Sequence, residues 1–232
     1  MEITASEKWG YYQLFSGIGI EGKKLLDIGG GKATVGFLFS SRLKKYVCVD
    51  PYEGTGNPEE NFNLVTNLVK EENIKNMEIK KMNLEKFYME NSRNIFDIVL
   101  LSNVLHHIFP APALLKNVVE YLNFVASFLK SPGGLLLIRE VMPINISQVI
   151  SSLNKNNVNF STKQFPGFWL RAIKETDFFN YFFYQYHVPF KLRFFFYVIK
   201  SLKSVRFLAS SMSNSSYIIR AKRNENPHKN YD

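Results

Sequence analysis

The chain of 232 residues contains a single cysteine, Cys48, and only two tryptophans. One thiol excludes an internal disulfide framework and a cysteine-rich metal site. Its position inside the apolar run Tyr46-Val47-Cys48-Val49 places it in a strand interior, so thiolate catalysis is not expected. No stretch of about eighteen uncharged apolar residues occurs, which leaves nothing to cross a bilayer as a helix. The opening residues, Met1 to Gly10, carry Glu2 and Glu7 and do not read as a secretory signal. A cytoplasmic location is the expectation. Acidic residues are scarce in one part only. Residues 1–140 hold 16 Lys and Arg against 16 Asp and Glu, whereas residues 141–232 hold 13 against 4, the whole of the net charge of +9.

What is present centres on Leu25-Leu26-Asp27-Ile28-Gly29-Gly30-Gly31-Lys32-Ala33-Thr34-Val35-Gly36. An apolar strand runs into a glycine turn and then a helical pattern, the arrangement that brings backbone close to a nucleotide-like ligand at the carboxyl end of a first strand. Asp27 decides between ligands. A fixed carboxylate beside the turn would repel a pyrophosphate, and the glycine or alanine that a dinucleotide turn needs three residues after Gly31 is Thr34. A ligand with an adenosine, a ribose diol and a cationic end suits the turn better.

Four further features follow in order. Tyr46 to Val49 is a second strand ending in Asp50-Pro51, nineteen residues after Gly31, where an acid can accept bonds from ribose hydroxyls. Met77 to Met82 is a third strand ending at Asn83-Leu84. Phe96 to Leu101 is a fourth, leading into Ser102-Asn103-Val104-Leu105-His106-His107, with Asp97 at its start in a structural position. Pro132-Gly133-Gly134 opens a fifth, Leu135 to Ile138.

This series resembles the class I S-adenosylmethionine-dependent methyltransferases. Their acid-x-Gly-x-Gly-x-Gly motif is matched by Asp27, Gly29 and Gly31, with Gly30 inside the turn and Ala33 at the third glycine. The resemblance spans roughly residues 21–141. It implies S-adenosyl-L-methionine as cofactor, held by Asp27, Gly29, Gly30, Gly31, Asp50, Pro51, Asn83, Leu84, Ser102 and Asn103. In that role Asp50 binds the ribose and the Asn83 amide oxygen accepts from the adenine amino group. It also implies a doubly wound α/β fold with a mostly parallel seven-stranded sheet, a closing antiparallel hairpin, and a helical, aromatic-rich insertion before that hairpin. The expected units are an N-terminal helical cover (1–20), the cofactor-binding core (21–141), an acceptor-side insertion or lid (142–204), the hairpin (205–223, with strands at 205–209 and 217–221) and a disordered tail (224–232).

The sulfonium provides the leaving group, so the protein's task is to position and desolvate the partners, with a base only where the acceptor must lose a proton. The candidate bases are His106 and His107 after the fourth strand and Glu140 after the fifth. No metal is expected: adjacent helical residues point about 100° apart, and no third ligand stands nearby. The Asp-Pro-Pro-Tyr type motif of amino-group DNA methyltransferases is replaced by Ser102-Asn103-Val104-Leu105.

The acceptor side is defined less sharply. Positions 178–197 contain twelve Phe or Tyr in twenty, beside Lys191, Arg193, Lys200, Lys203 and Arg206. Such a mixture suits an apolar small-molecule or lipid-like acceptor, bases beside phosphates in RNA, a peripheral anionic membrane surface, or a homodimer interface. The leading expectation is a methyltransferase, of the general enzyme class EC 2.1.1, that passes the sulfonium methyl to an O, N or C nucleophile of a small or lipid-like acceptor by in-line displacement. An RNA methyltransferase and a non-catalytic cofactor-binding partner subunit are the alternatives.

Overall fold

The structure is a computed structural model that describes residues 2–53, 58–91, 95–141, 166–176, 179–186 and 216–224, with backbone alone at 58 and 180–186. Its strands are β1 (Lys24–Ile28), β2 (Lys45–Asp50), β3 (Met77–Lys81), β4 (Ile98–Ser102), β5 (Leu135–Val141), β6 (Phe179–Tyr186) and β7 (Ser216–Arg223). Between them lie α1 (Ala5–Phe15), α2 (Thr34–Phe39), α3 (Pro58–Glu71), α4 (Leu84–Glu90), α5 (Leu105–Ile108), α6 (Leu115–Ala126) and α7 (Pro166–Lys174). The strands form one sheet in the order β3-β2-β1-β4-β5-β7-β6. β1 to β5 are mutually parallel, and β7 runs antiparallel between β5 and β6.

Parallel strands linked through helices are covered on both faces, which is why these segments read as almost unbroken apolar runs. Side chains alternate between the two covers. On one face Leu26, Ile28, Val47, Val99, Leu101, Leu136, Ile138, Tyr217 and Ile219 pack with Leu105, with Val118 and Leu122 of α6, and with Trp169 and Ile173 of α7. On the other, Leu25, Tyr46, Cys48, Ile98, Leu100, Leu137 and Ile218 pack with Leu14 and Phe15 of α1, Val35 and Phe39 of α2, and Val65 of α3. Trp169 is 1% exposed. An aromatic of that size contributes several kcal/mol at about 25 cal/mol per Å² of apolar surface removed from water.

The N-terminal helix is fixed at both ends. Thr4 and Glu7 form a reciprocal capping box. At the other end the Arg220 guanidinium of β7 donates to the carbonyls of Gln13 (3.0 Å) and Leu14 (2.9 Å), a cation at the negative end of the helix dipole. As anticipated, Asp97 is structural: its Oδ2 accepts from the Lys24 N–H (2.8 Å) and its Oδ1 from Lys130 Nζ (2.7 Å), far from the carboxyl edge of the sheet.

The closing antiparallel pair requires a correction. β7 covers the expected 217–221, but the strand found against it is β6, within the segment read as a helical insertion. Phe179 to Tyr186 is rich in Phe and Tyr, residue types that favour extended backbone. Residues 205–209, the expected hairpin partner, lie outside the described residues. So do the expected helix at 144–153, most of the basic aromatic segment with Lys191, Arg193, Lys200, Lys203 and Arg206, and all of the tail but Asn224.

Candidate functional site

Consecutive connections leave the sheet in opposite directions between β1 and β4, and a crevice opens at the carboxyl ends of such strands. A cleft of about 670 Å³ lies there, lined by Ile28, Gly29, Val49, Asp50, Pro51, Glu53, Met82, Asn83, Leu84, Glu85, Asn103, Val104, His107, Ile108 and Tyr121. It brings together Gly29, Asp50, Pro51, Asn83, Leu84, Asn103 and His107 from the expected set. Asp27, Gly30, Gly31, Ser102, His106 and Glu140 are not among its walls.

The glycine turn is shaped by close contact. Gly29 has φ +67°, and a Cβ there would come within 2.4 Å of Val104 Cγ2. A Cβ on Gly30 would lie 2.8 Å from both Asp27 Cγ and Cys48 Sγ, so this residue lets the turn fold down over the strand end. Gly31, at φ +48°, would meet nothing within 4 Å. Ala33 stands in the left-handed region with φ 49°, where only glycine is free of steric cost. The departure at the third glycine is therefore conformational as well as a matter of packing.

Two tyrosines brace this turn, and neither was foreseen as a site residue. The Tyr46 hydroxyl donates to Asp27 Oδ2 at 2.6 Å. The Tyr52 hydroxyl donates to the Gly31 carbonyl at 2.7 Å. Strand parity held the signal for Tyr46. Leu25 pairs with Tyr46 and Asp27 with Cys48, so all four side chains lie on one face. No comparable signal marks Tyr52, whose position depends on the backbone turning to φ 52° just past β2.

The character of Asp27 differs from the fixed anion expected of it. The residue is 3% exposed. Burial pushes its carboxyl up to about 7, with the Tyr46 bond opposing and the nearby Asp50 charge adding to the rise. Its Oδ1 has no hydrogen-bond partner. A carboxyl whose burial favours the protonated form repels phosphate less than a fixed anion would, and a cation beside it favours its charged form. Burial also drives the Cys48 thiol well above its ordinary range, so it is not a nucleophile.

Asp50 is already engaged by backbone: Oδ2 accepts from the Gly31 N–H (2.9 Å) and Oδ1 from the Tyr52 N–H (2.6 Å). Each carboxylate oxygen keeps a second lone pair for a ribose hydroxyl. Asn83 caps α4, its Oδ1 accepting from the Lys86 N–H at 2.9 Å, so its amide oxygen already serves the helix terminus. Asn103 adopts φ 56°, and the buried Oδ1 of Asn103 and Oγ of Ser102 make no hydrogen bond.

Glu140 is 1% exposed and both its oxygens are occupied. Oε1 accepts from the Leu105 N–H (2.8 Å), and Oε2 lies 2.6 Å from His106 Nδ1. Glu140 thus anchors the start of α5 and holds one imidazole. The rings of His106 and His107 lie 4.1 Å apart, tilted by 39°.

An adenosine-bearing sulfonium fits this cleft. Gly31 leaves room above the turn, Asp50 keeps lone pairs able to accept from a diol, Asn83 and Leu84 line the cleft, and Asp27 Oδ1 has no hydrogen-bond partner. The comparisons agree with that chemistry. A family model described as methyltransferase domain matches residues 10–182. A SAM-dependent methyltransferase from Archaeoglobus fulgidus superposes with TM-score 0.57 at 14% identity, covering 92% of each chain. The plantazolicin methyltransferase BamL, solved with a triazolic desmethylPZN analog and SAH, superposes with TM-score 0.58 at 14% identity over 95% of this chain and 86% of that one. The CurJ carbon methyltransferase gives TM-score 0.54 at 16% identity over 88% of this chain, which spans only 49% of that longer one. No curated protein matches the sequence significantly. By fold, strand order and family match, the chain belongs to the methyltransferase-domain family, with S-adenosylmethionine as its cofactor.

Proposed function

We propose that the protein transfers a methyl group to a nucleophilic O, N or C atom of a small or lipid-like acceptor, and that His106 removes the acceptor's proton. The observation that carries this reading is the His106–Glu140 pair beside the cleft: a buried carboxylate 2.6 Å from Nδ1 on a ring only 13% exposed. A carboxylate accepts, so Nδ1 carries the proton and Nε2 keeps its lone pair. Glu140 then stabilises the imidazolium that forms, as the acid of a His-acid pair does. Stacking between the two histidine rings keeps His106 aligned with His107, which lines the cleft.

S-adenosylmethionine supplies an activated methyl group when bound. The chain's own residues do the rest. Asp27 and Asp50 orient the two ends of the cofactor, Asn83 and Leu84 select the adenine, and Val104 and Ile108 help exclude water. An acceptor of modest size is supported by the apolar Ile108 in the cleft wall, 41% exposed. The parts of residues 142–204 outside α7 and β6, with their aromatic and basic composition, are assigned to the acceptor side, and Asp27, Gly29–Gly31, Asp50, Pro51, Asn83, Leu84, Ser102 and Asn103 to the cofactor.

The test is S-adenosylhomocysteine release over a panel of small phenols, amines and fatty acids, with His106→Ala alongside. Loss of about 10²- to 10⁴-fold in turnover with unchanged cofactor affinity is expected. Full turnover in His106→Ala would remove the proton-transfer role. Failure of the protein to bind S-adenosylhomocysteine at all would remove the cofactor assignment.

A further inference from the structure

We propose that Arg139, flanked by Tyr11 and Ser102, is the receptor for a ligand carboxylate at the carboxyl edge of the sheet. The proposal rests on the methyltransferase reading above and concerns a cation that reading does not use.

Arg139 lies near the end of β5 and is half-buried. Its guanidinium stacks 4.8 Å from the centroid of the Tyr11 ring, and Nε donates to Ser216 Oγ at 3.2 Å. A guanidinium has five N–H donors in a fixed fork. Among the described residues no carboxylate pairs with Arg139, and its two terminal nitrogens have no acceptor. The other two part-buried arginines among the described residues, by contrast, spend terminal nitrogens on backbone carbonyls: Arg220 on Gln13 and Leu14, Arg223 on Ala126 and Leu129.

Its neighbours set that open fork at the carboxyl edge of the sheet, near the level of the glycine turn. Ser102 of β4 is directly opposite Arg139, and Ile28 is opposite Leu101, so the row through Arg139 and Ser102 reaches the level of Gly29. Strand parity sets Arg139, Ser102 and Asp27 on one face, the face that α1 covers through Tyr11. Ser102 Oγ is buried without a proper hydrogen bond, although the Tyr11 hydroxyl lies beside it. Across roughly 10 Å of sheet, two strand spacings, a buried carboxyl with one open oxygen and an arginine with an open fork therefore lie on the same face. An anion receptor and a cation receptor arranged so suit a zwitterionic amino-acid end. A bidentate guanidinium is also the preferred partner of a planar carboxylate.

Two sources supply that chemistry: the α-carboxylate of the cofactor's methionine end, or an acid group on the acceptor. Titration calorimetry on the full chain distinguishes them, with S-adenosylhomocysteine and 5′-methylthioadenosine as probes. The second keeps the nucleoside and thioether but lacks the amino-acid end. Arg139→Gln should weaken S-adenosylhomocysteine about 10- to 100-fold and leave 5′-methylthioadenosine within about twofold, if the carboxylate is the cofactor's. Arg139→Lys, which keeps the charge and the stem, should fall between. If neither affinity moves, decanoate is titrated into protein saturated with S-adenosylhomocysteine. Binding to the wild type that is lost in Arg139→Gln assigns the receptor to an acidic acceptor.

The proposal is overturned if no probe distinguishes the variants from wild type. It is overturned too if Arg139→Gln weakens both nucleosides equally while melting early and Arg139→Lys, with wild-type Tm, binds as wild type does; the side chain is then structural. Absence of binding of either nucleoside to the wild type would instead sink the cofactor assignment, a result separable from failure of the Arg139 role.

Discussion

Replacing Asp27 by asparagine should make the ligand-free protein more stable at alkaline pH while making it a poorer cofactor binder. The folded carboxyl titrates at about 7 against 3.8 when exposed, chiefly because it is buried. Between those values the folded state holds a proton that the unfolded state has released. Stability therefore falls as pH rises from about 4 to about 7 and is level above that. Charging the group in place costs about 4 kcal/mol in total, at about 1.36 kcal/mol per pH unit. The substituted amide can still accept from the Tyr46 hydroxyl and carries no charge. Its N–H₂ group adds an offset of about 1–2 kcal/mol that does not depend on pH. The stability gap between variant and wild type should consequently widen by about 2–3 kcal/mol from pH 5 to pH 8. At about 2–4 °C per kcal/mol for a chain of this size, that is a relative Tm shift of about 5–10 °C. Thermal scans at pH 5, 6.5 and 8 measure it. Saturating S-adenosylhomocysteine should flatten the wild-type slope, because an ammonium beside Asp27 favours its charged form. Parallel profiles for the two proteins across pH 5 to 8 would show that Asp27 titrates as an ordinary carboxyl, and the account of the turn given above would be wrong.

Three other outcomes follow from the same geometry. Gly30→Ala sets a methyl 2.8 Å from Asp27 and Cys48; urea unfolding should report a loss of about 2 kcal/mol or more, and calorimetry a loss of S-adenosylhomocysteine binding. Tyr52→Phe removes the bond to the Gly31 carbonyl, for about 1 kcal/mol in stability and a several-fold weaker cofactor, with an unchanged affinity counting against the brace. Glu140→Gln can still accept from the Leu105 N–H but no longer balances an imidazolium, so turnover should fall by about 100-fold or more at unchanged S-adenosylhomocysteine affinity; a fall in affinity alone would make the pair merely structural.

The extent to which the site was legible in the residues differs from element to element. β1 to β5 are apolar runs closed by turn residues, a local signal, and the cleft forms where those runs end. Gly29, Asp50, Asn83 and His107 could be placed there because each follows a strand by a fixed number of residues. Glu140 was expected to follow its strand in the same way, yet it lies within β5 and reaches His106 and the Leu105 N–H. Nothing within a few residues of position 140 encodes the depth of its burial. Asp27 is a similar case. Its position was evident, but its ionisation depends on Tyr46, Cys48 and Gly30 closing around it. The antiparallel partner of β7 was misplaced because β-propensity in residues 178–209 is high throughout, and pairing is decided across the sheet rather than along the chain.

Sequence alone was sufficient for the class of fold and the nature of the cofactor, since both depend on short-range order: strand, glycine turn, acid, strand, acid. Which carboxyl is charged, which histidine is held by which acid, and which arginine keeps an open fork emerged only when β1, β2, β4 and β5 were laid side by side. Those properties depend on desolvation and on partners far apart in the chain, and the strands alone bring such partners within hydrogen-bonding distance.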